Sequence, residues 1–207
     1  ETLYIELLKV LDSHFSEHPY LLGGRPSIAD FGMLAPLYAH LGRDPKPLSL
    51  MREHAIHAFR WVERMNRPEH DVGEFETQDG EYLAADEIPA SLVNVLKHIA
   101  IDFVPETRAA ASCINDWISQ QDYLEPGTEC VRGVGMANFP LRGISIDALA
   151  QPFRFYLLKR VQDEFESLDK QQQGEVTSLL DACQMTAILE MKLSREIGRQ
   201  NNLEVWL

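Results

Sequence analysis

From Tyr20 to Phe31 the chain reads Tyr-Leu-Leu-Gly-Gly-Arg-Pro-Ser-Ile-Ala-Asp-Phe, a helix stop followed at once by a helix start. Two glycines and a proline interrupt helical geometry just before Ser27, a residue type that opens helices. The Ser27 hydroxyl can accept from the amide three residues on, while the Asp30 carboxylate reaches back to the Ser27 amide. That is a capping box with Asp in place of Glu. Asp30 also lies where the helix dipole favours an anion. Removing it (Asp30→Ala) is predicted to cost on the order of 1 kcal/mol, the typical loss for a cap.

Helical periodicity flanks this signal. Leu3, Leu7, Leu8, Leu11 and Phe15 recur at three- and four-residue steps, which predicts a helix ending near His18, ahead of Pro19. After the capping box, Ile28, Phe31, Leu34, Leu37, Tyr38 and Leu41 form the expected buried face of a second helix. Gly32 would allow close approach, Pro36 a kink, and Gly42 the end. A third helix is predicted from Leu48 to Met65, with Met51, Ala55, Phe59 and Val62 inward and its arginines outward, stopped by Asn66-Arg67-Pro68.

Residues 69–88 are acidic and aperiodic, and read as a linker or a loop that wraps the first bundle. Pro89 then opens a helix with Leu92, Val93, Leu96, Ile99 and Phe103 on one face, broken or kinked at Pro105. From Glu125 to Ile146 glycines are spaced among Val, Met, Phe, Leu and Ile, as in a short hairpin or a long ordered loop. Helices are expected over 148–168, with Asp147 as cap, and over 171–183 and 186–197. The expected fold class is all-α, a helical bundle with an additional helical extension and one irregular or hairpin segment. The organisation is a core over 1–68, the linker or wrapping loop over 69–88, and the extension over 89–207.

Composition excludes several function classes. With 207 residues, 45% of them hydrophobic, the chain can bury a sizeable core. A formal charge of −13 repels phosphate backbones, and no run of Lys and Arg supplies a basic patch, so no nucleic-acid partner is expected. No window is apolar enough for a membrane span and residues 1–20 lack a signal peptide's pattern, so no membrane partner is expected and the default address is cytoplasmic. Cys113, Cys130 and Cys183 are odd in number, far apart and without a CxxC, which reads as buried, inert thiols.

The run Tyr20 to Phe31 resembles the capping-box and staple segment of the glutathione transferase C-terminal helical domain. The match extends through His40-Leu-Gly-Arg-Asp-Pro45 and Trp61-Val-Glu-Arg-Met65. Beyond it, Ile88-Pro89, Arg132-Gly-Val-Gly135, Gln151-Pro-Phe-Arg154, Arg160-Val-Gln-Asp163 and Glu204-Val-Trp206 are similar to stretches of a bacterial glutathione transferase-like subgroup with a long C-terminal extension. The resemblance implies a glutathione transferase C-terminal-like bundle in which Ser27 and Asp30 are structural. It also implies glutathione as co-substrate of the intact protein and an apolar electrophile pocket between two domains, with Met33 and Tyr38 as candidate lining. In that family the catalytic Tyr, Ser or Cys belongs to an N-terminal thioredoxin-like domain, for which no βαβ pattern precedes the first helix here. The chain therefore reads as part of a longer protein, with no catalytic residue and no cofactor of its own.

Other constellations have bland readings. His14 with His18, and His54 with His57, have metal-compatible spacing, but no third ligand is assured near either pair. They read as solvated surface histidines, and no metal is expected. Gly133-Val-Gly135 with Arg132 and Arg142 could approach an anion, although a tight turn accounts for it. Arg160 and Asp163 are expected to form an i,i+3 pair, beside Arg154, in a surface or interdomain salt bridge. Phe153, Phe155, Tyr156 and Phe165, like Trp61 and Phe59, read mainly as core.

The expected function is the C-terminal helical part of a glutathione transferase-like protein, shaping the electrophile pocket and interdomain or homodimer contacts. Its own thioredoxin-like domain and a small hydrophobic electrophile are the expected partners. The rivals are a non-catalytic interaction module of the same fold and an unrelated helical small-molecule binder.

Overall fold

The computed structural model describes residues 1–69, 71–76 and 79–207. It divides into two compact units, Glu1–His98 and Ile99–Leu207.

Unit one opens with α1 (Thr2–Phe15), whose buried stripe is Leu8, Leu11, His14 and Phe15. The segment 20–27 leads into α2 (Ile28–Pro36), which passes at Pro36 into a π turn, Leu37–Leu41. The expected buried face of α2 is not the one observed. Asp30 and Leu37 are buried with Met33 and Leu34 half-buried between them, a stripe at i, i+3, i+4 and i+7. Ile28 is 90% exposed and Phe31 58% exposed, and nothing approaches Gly32. The carboxylate takes the inward track because four donors await it there, so the apolar residues beside it turn outward.

The single helix expected over 48–65 is two, α3 (Pro45–His54) and α4 (Ile56–Met65), parted at Ala55, whose φ of −154° and ψ of 67° are not helical. Asp12 of α1 accounts for the break. Its Oδ1 accepts from the backbone N–H groups of His57 at 2.6 Å and Ala58 at 3.2 Å, so a side chain 45 positions away caps α4. Met51, Ala55 and Val62 are buried as the period requires, but Phe59 is only half-buried, and Trp61 and Arg64 are buried instead.

The described parts of residues 69–88 form a strap over the 20–26 segment. Gly24 N–H donates to Glu81 O at 2.8 Å and Leu83 N–H to Leu22 O at 2.9 Å, and Gly23 bridges Tyr82. Gly23 has φ of +111°, and a Cβ at Gly24 would stand 2.9 Å from the Gly80 backbone. These glycines leave room for a second strand of backbone.

Of the break or kink expected at Pro105, the break is absent, for helix α5 (Ala90–Ser119) runs through it. A mid-helix proline forfeits a backbone bond, at a cost of about 3 kcal/mol. The turn is held by side-chain bonds within unit two: Arg142 Nε donates to Asp102 at 3.0 Å, and Arg154 donates to Thr107 Oγ1 at 3.1 Å and Glu106 at 2.5 Å.

Unit two corrects the all-α expectation, for it carries two small antiparallel sheets. The first is the hairpin left open for 125–146. Here β1 (Met136–Leu141) pairs with β2 (Ile144–Leu149), turning at Arg142 and Gly143, both at positive φ. Asp147 therefore lies in a strand and accepts from Asn138, while Pro152 opens α6 (Pro152–Ser167) at its first position. Helix α7 (Lys170–Ala182) follows, capped by Asp169, which accepts from Gln171 N–H and Gln172 N–H at 2.9 Å. The helix expected over 186–197 is a 3-10 turn, Thr186–Leu189, and irregular chain. It leads to β3 (Ile197–Gln200), which pairs with β4 (Leu203–Trp206) through Asn201 and Asn202 at positive φ. Trp206 is buried and stacks on Trp117 at 5.8 Å.

Candidate functional site

The capping segment of unit one is built around one carboxylate. Asp30 is wholly buried, and its Oδ2 accepts from Ser27 N–H and Ser27 Oγ, both at 2.8 Å. Its Oδ1 accepts from Leu21 N–H and Trp61 Nε1, both at 3.0 Å. Trp61 in turn stacks on Phe15 at 4.7 Å. One side chain thus joins the start of α2, the connection before it, and α4, and α1 through the ring stack. Four donors meet both oxygens, which is how a buried carboxylate is tolerated. The sequence exposed the Ser27 half of this hub by spacing; Leu21 and Trp61 carried no local signal.

His14 is the largest departure from the surface reading. It is buried, with Nδ1 2.9 Å from Ser91 Oγ and Nε2 3.3 Å from Tyr20 O. Because a carbonyl can only accept, Nε2 carries the proton and Nδ1 accepts from the serine hydroxyl. Burial, with the neighbouring His18 adding to it, pushes its pKa down to about 4. Its ring lies 5.1 Å from that of His18. In the other pair, His57 sits 3.2 Å from Asp12 and His54 is half-buried. Among the described residues no group of three or more His, Cys, Asp or Glu is placed to hold a metal.

Arg64 is also missed by the outward reading of the arginines. Its guanidinium lies 5.5 Å from each of the Tyr20 and Phe75 rings and donates to Pro19 O at 2.7 Å. Burial lowers its pKa, with Glu74 opposing. The Tyr20 hydroxyl donates to Asp71 O at 2.8 Å. Arg64 and Tyr20 together fasten the strap to the bundle.

What remains outward is the other side of α2, where Ile28, Ala29, Phe31, Gly32 and Ala35 are all exposed. Met33 is half-buried, and so is Tyr38, whose hydroxyl accepts from Arg43 at 3.4 Å with the guanidinium over the ring.

The remaining candidates lie in unit two and serve its framework. Val134 N–H donates to Ala150 O and Ala150 N–H to Gly135 O, at 3.0 and 2.9 Å, so the Gly133 to Gly135 run enters the hairpin. A Cβ at Gly133 would meet Leu149 at 2.5 Å. Asp163 pairs with Lys159 at 2.7 Å instead of with Arg160. Phe155 is core, whereas Phe153 is exposed against Tyr156. Cys183 is buried, but Cys113 and Cys130 are only half-buried. Burial, Glu204 and Glu129 push the Cys130 thiol up to about 12, so it is not an activated nucleophile.

The first unit is thus a helical domain joined through a buried aspartate hub at the head of its second helix. Residues 4–69 match the family described as glutathione S-transferase, C-terminal domain, and this segment is a domain of that type. No curated protein and no solved structure matches the chain.

Proposed function

We propose that the chain supplies the C-terminal helical part of a glutathione transferase-like protein, of the bacterial subgroup with a long extension. Unit one would form the apolar wall of an electrophile pocket and the contacts to a thioredoxin-like domain or a second protomer. The observation that carries this reading is the outward face of α2. Ile28 and Phe31 stand exposed directly beside the fully buried Asp30, on the segment that matches the family. A carboxylate hub that fixes this helix end so firmly, and leaves its apolar side bare, suits a surface made to be covered. Met33 and Tyr38 would contribute at its edge. Glutathione, whose thiolate attacks the soft electrophile, would be held by the other domain, and no residue of this chain is assigned to it.

The supporting physics extends to the partners. The charge of −13 disfavours nucleic acid, and among the described residues no helix is long and apolar enough to cross a membrane. A cytoplasmic address fits this reading. A conjugation assay with glutathione and an aryl halide tests it, comparing residues 1–207 with the whole product of the gene. The expected result is turnover by the whole product and none above buffer by residues 1–207. Turnover by residues 1–207 alone would overturn it. The second reading, a non-catalytic interaction module, is favoured by the same bare α2 face, since Ile28 and Phe31 could dock another protein. A folded whole product that conjugates nothing, yet loses a protein partner on Ile28→Asp, would select that reading.

A further inference from the structure

Helix α6 is apolar on two opposite sides. Phe155, Leu158 and Gln162 are buried, so its core-facing side is complete. The outer side carries Phe153, Leu157 and Val161, which are 47%, 44% and 52% exposed and stand at i, i+4 and i+8, one stripe along the helix. Scattered apolar residues on a surface are ordinary, but a helix with an apolar stripe on each side is built to be covered on each side.

Charge says what covers the outer stripe. Arg132 lines one pocket with Phe153 and the exposed Val131, so a guanidinium borders the N-terminal end of the stripe. Glu164, three residues past Val161 and on the same side of the helix, borders the C-terminal end. Both residues are exposed, and among the described residues neither side chain has an ion-pair or hydrogen-bond partner. The ions around them are spent: Arg154 on Glu106, Lys159 on Asp163, and Glu204, which lines the same pocket as Arg132, on Arg199. A surface with a free cation at one end, a free anion at the other and evenly spaced apolar residues between them is complementary to itself turned end for end. A two-fold axis at Leu157 performs that rotation. It lays α6 antiparallel on its copy, with Leu157 against Leu157, Phe153 level with Val161, and Arg132 toward Glu164, the last two contacts each made twice. Arg160, exposed and likewise unpaired on this side, comes beside Phe153 of the second copy, whose ring can take a guanidinium.

We propose that this face of α6 is an interface between two copies of the chain, held by the stripe Phe153, Leu157 and Val161 and set in register by Arg132 and Glu164. It lies wholly in unit two and is independent of the contacts proposed for α2. A single helix face is at the small end of interface sizes, so dissociation in the micromolar range is expected.

Sedimentation equilibrium of residues 1–207 measures the dimer. Leu157→Asp, at an exposed position that leaves the core intact, sets two carboxylates face to face at the axis and should weaken it at least about tenfold. Arg132→Glu alone should weaken it roughly fivefold, by setting like charge toward Glu164, and Glu164→Arg alone should do the same. The two reversals together should return the wild-type value, the signature of direct contact. A chain that stays monomeric into the millimolar range, its stripe left to some other protein, would overturn the proposal. So would a dimer indifferent to Leu157→Asp, or a double reversal no tighter than either single one.

Discussion

Asp30 carries more than a helix cap. Its removal strands the N–H groups of Ser27 and Leu21 and the Trp61 indole in a buried setting, and each such group costs about 1 to 3 kcal/mol. Asp30→Ala is therefore expected to lower unfolding free energy by roughly 3 kcal/mol or more, read from the urea midpoint, in place of the ~1 kcal/mol that a cap alone predicts. His14 gives the pH dependence. Its folded pKa of about 4 lies below the unfolded value of 6.5, so between those limits the unfolded chain binds the proton first. Stability is full above about pH 6.5 and falls as pH drops toward 4, by roughly 3 kcal/mol in all. Denaturant melts across that window should show the slope in wild type and its loss in His14→Gln. The Ser27 to Asp30 spacing was legible because both partners lie within one helical turn. His14 does carry a signal, its place three residues after Leu11 on the apolar stripe of α1. Trp61 as a donor to Asp30 had none, since only the folded chain brings them together.

Among the elements, α4 depends on a cap that it does not itself contain. Asp12→Ala should free the His57 and Ala58 amides, seen as faster hydrogen exchange at those two positions, with a loss of about 1 to 2 kcal/mol. The strap depends on bare backbone. Gly24→Ala places a methyl 2.9 Å from Gly80, so protease cleavage between residues 79 and 88 is expected to accelerate. Unchanged cleavage would contradict the strap's close approach. Helix periods in α1, α6 and α7 could be read directly, whereas the sheets were hidden for distinct reasons. The β1–β2 turn places Arg142, an unfavoured residue, at positive φ, and only Gly143 marks it. The Asn201-Asn202 pair is a genuine turn signal, but strands of four residues are too short to show alternation. The break at Ala55 could not be read at all, because alanine favours helix and its cause is Asp12.

For the whole molecule, the family signal and the bare apolar face of α2 coincide in unit one. Residues 4–69 contain both the aspartate hub and the exposed Ile28 and Phe31, while the extension that follows has its own core around Ile114, Phe155 and Trp206. The helical character of the first unit and its capping segment were legible from local patterns. Which side of α2 stays bare was not, because periodicity alone assigns apolar residues inward and the buried carboxylate reverses that assignment. The proposed role rests on this bare face being covered in the intact protein. Hydroxyl-radical footprinting of Phe31 measures that directly, in residues 1–207 and in the whole gene product at matched dose. The expected result is strong labelling of Phe31 in residues 1–207 and at least about threefold less in the whole product. Equal labelling in both would contradict the assignment of α2 as the docking wall.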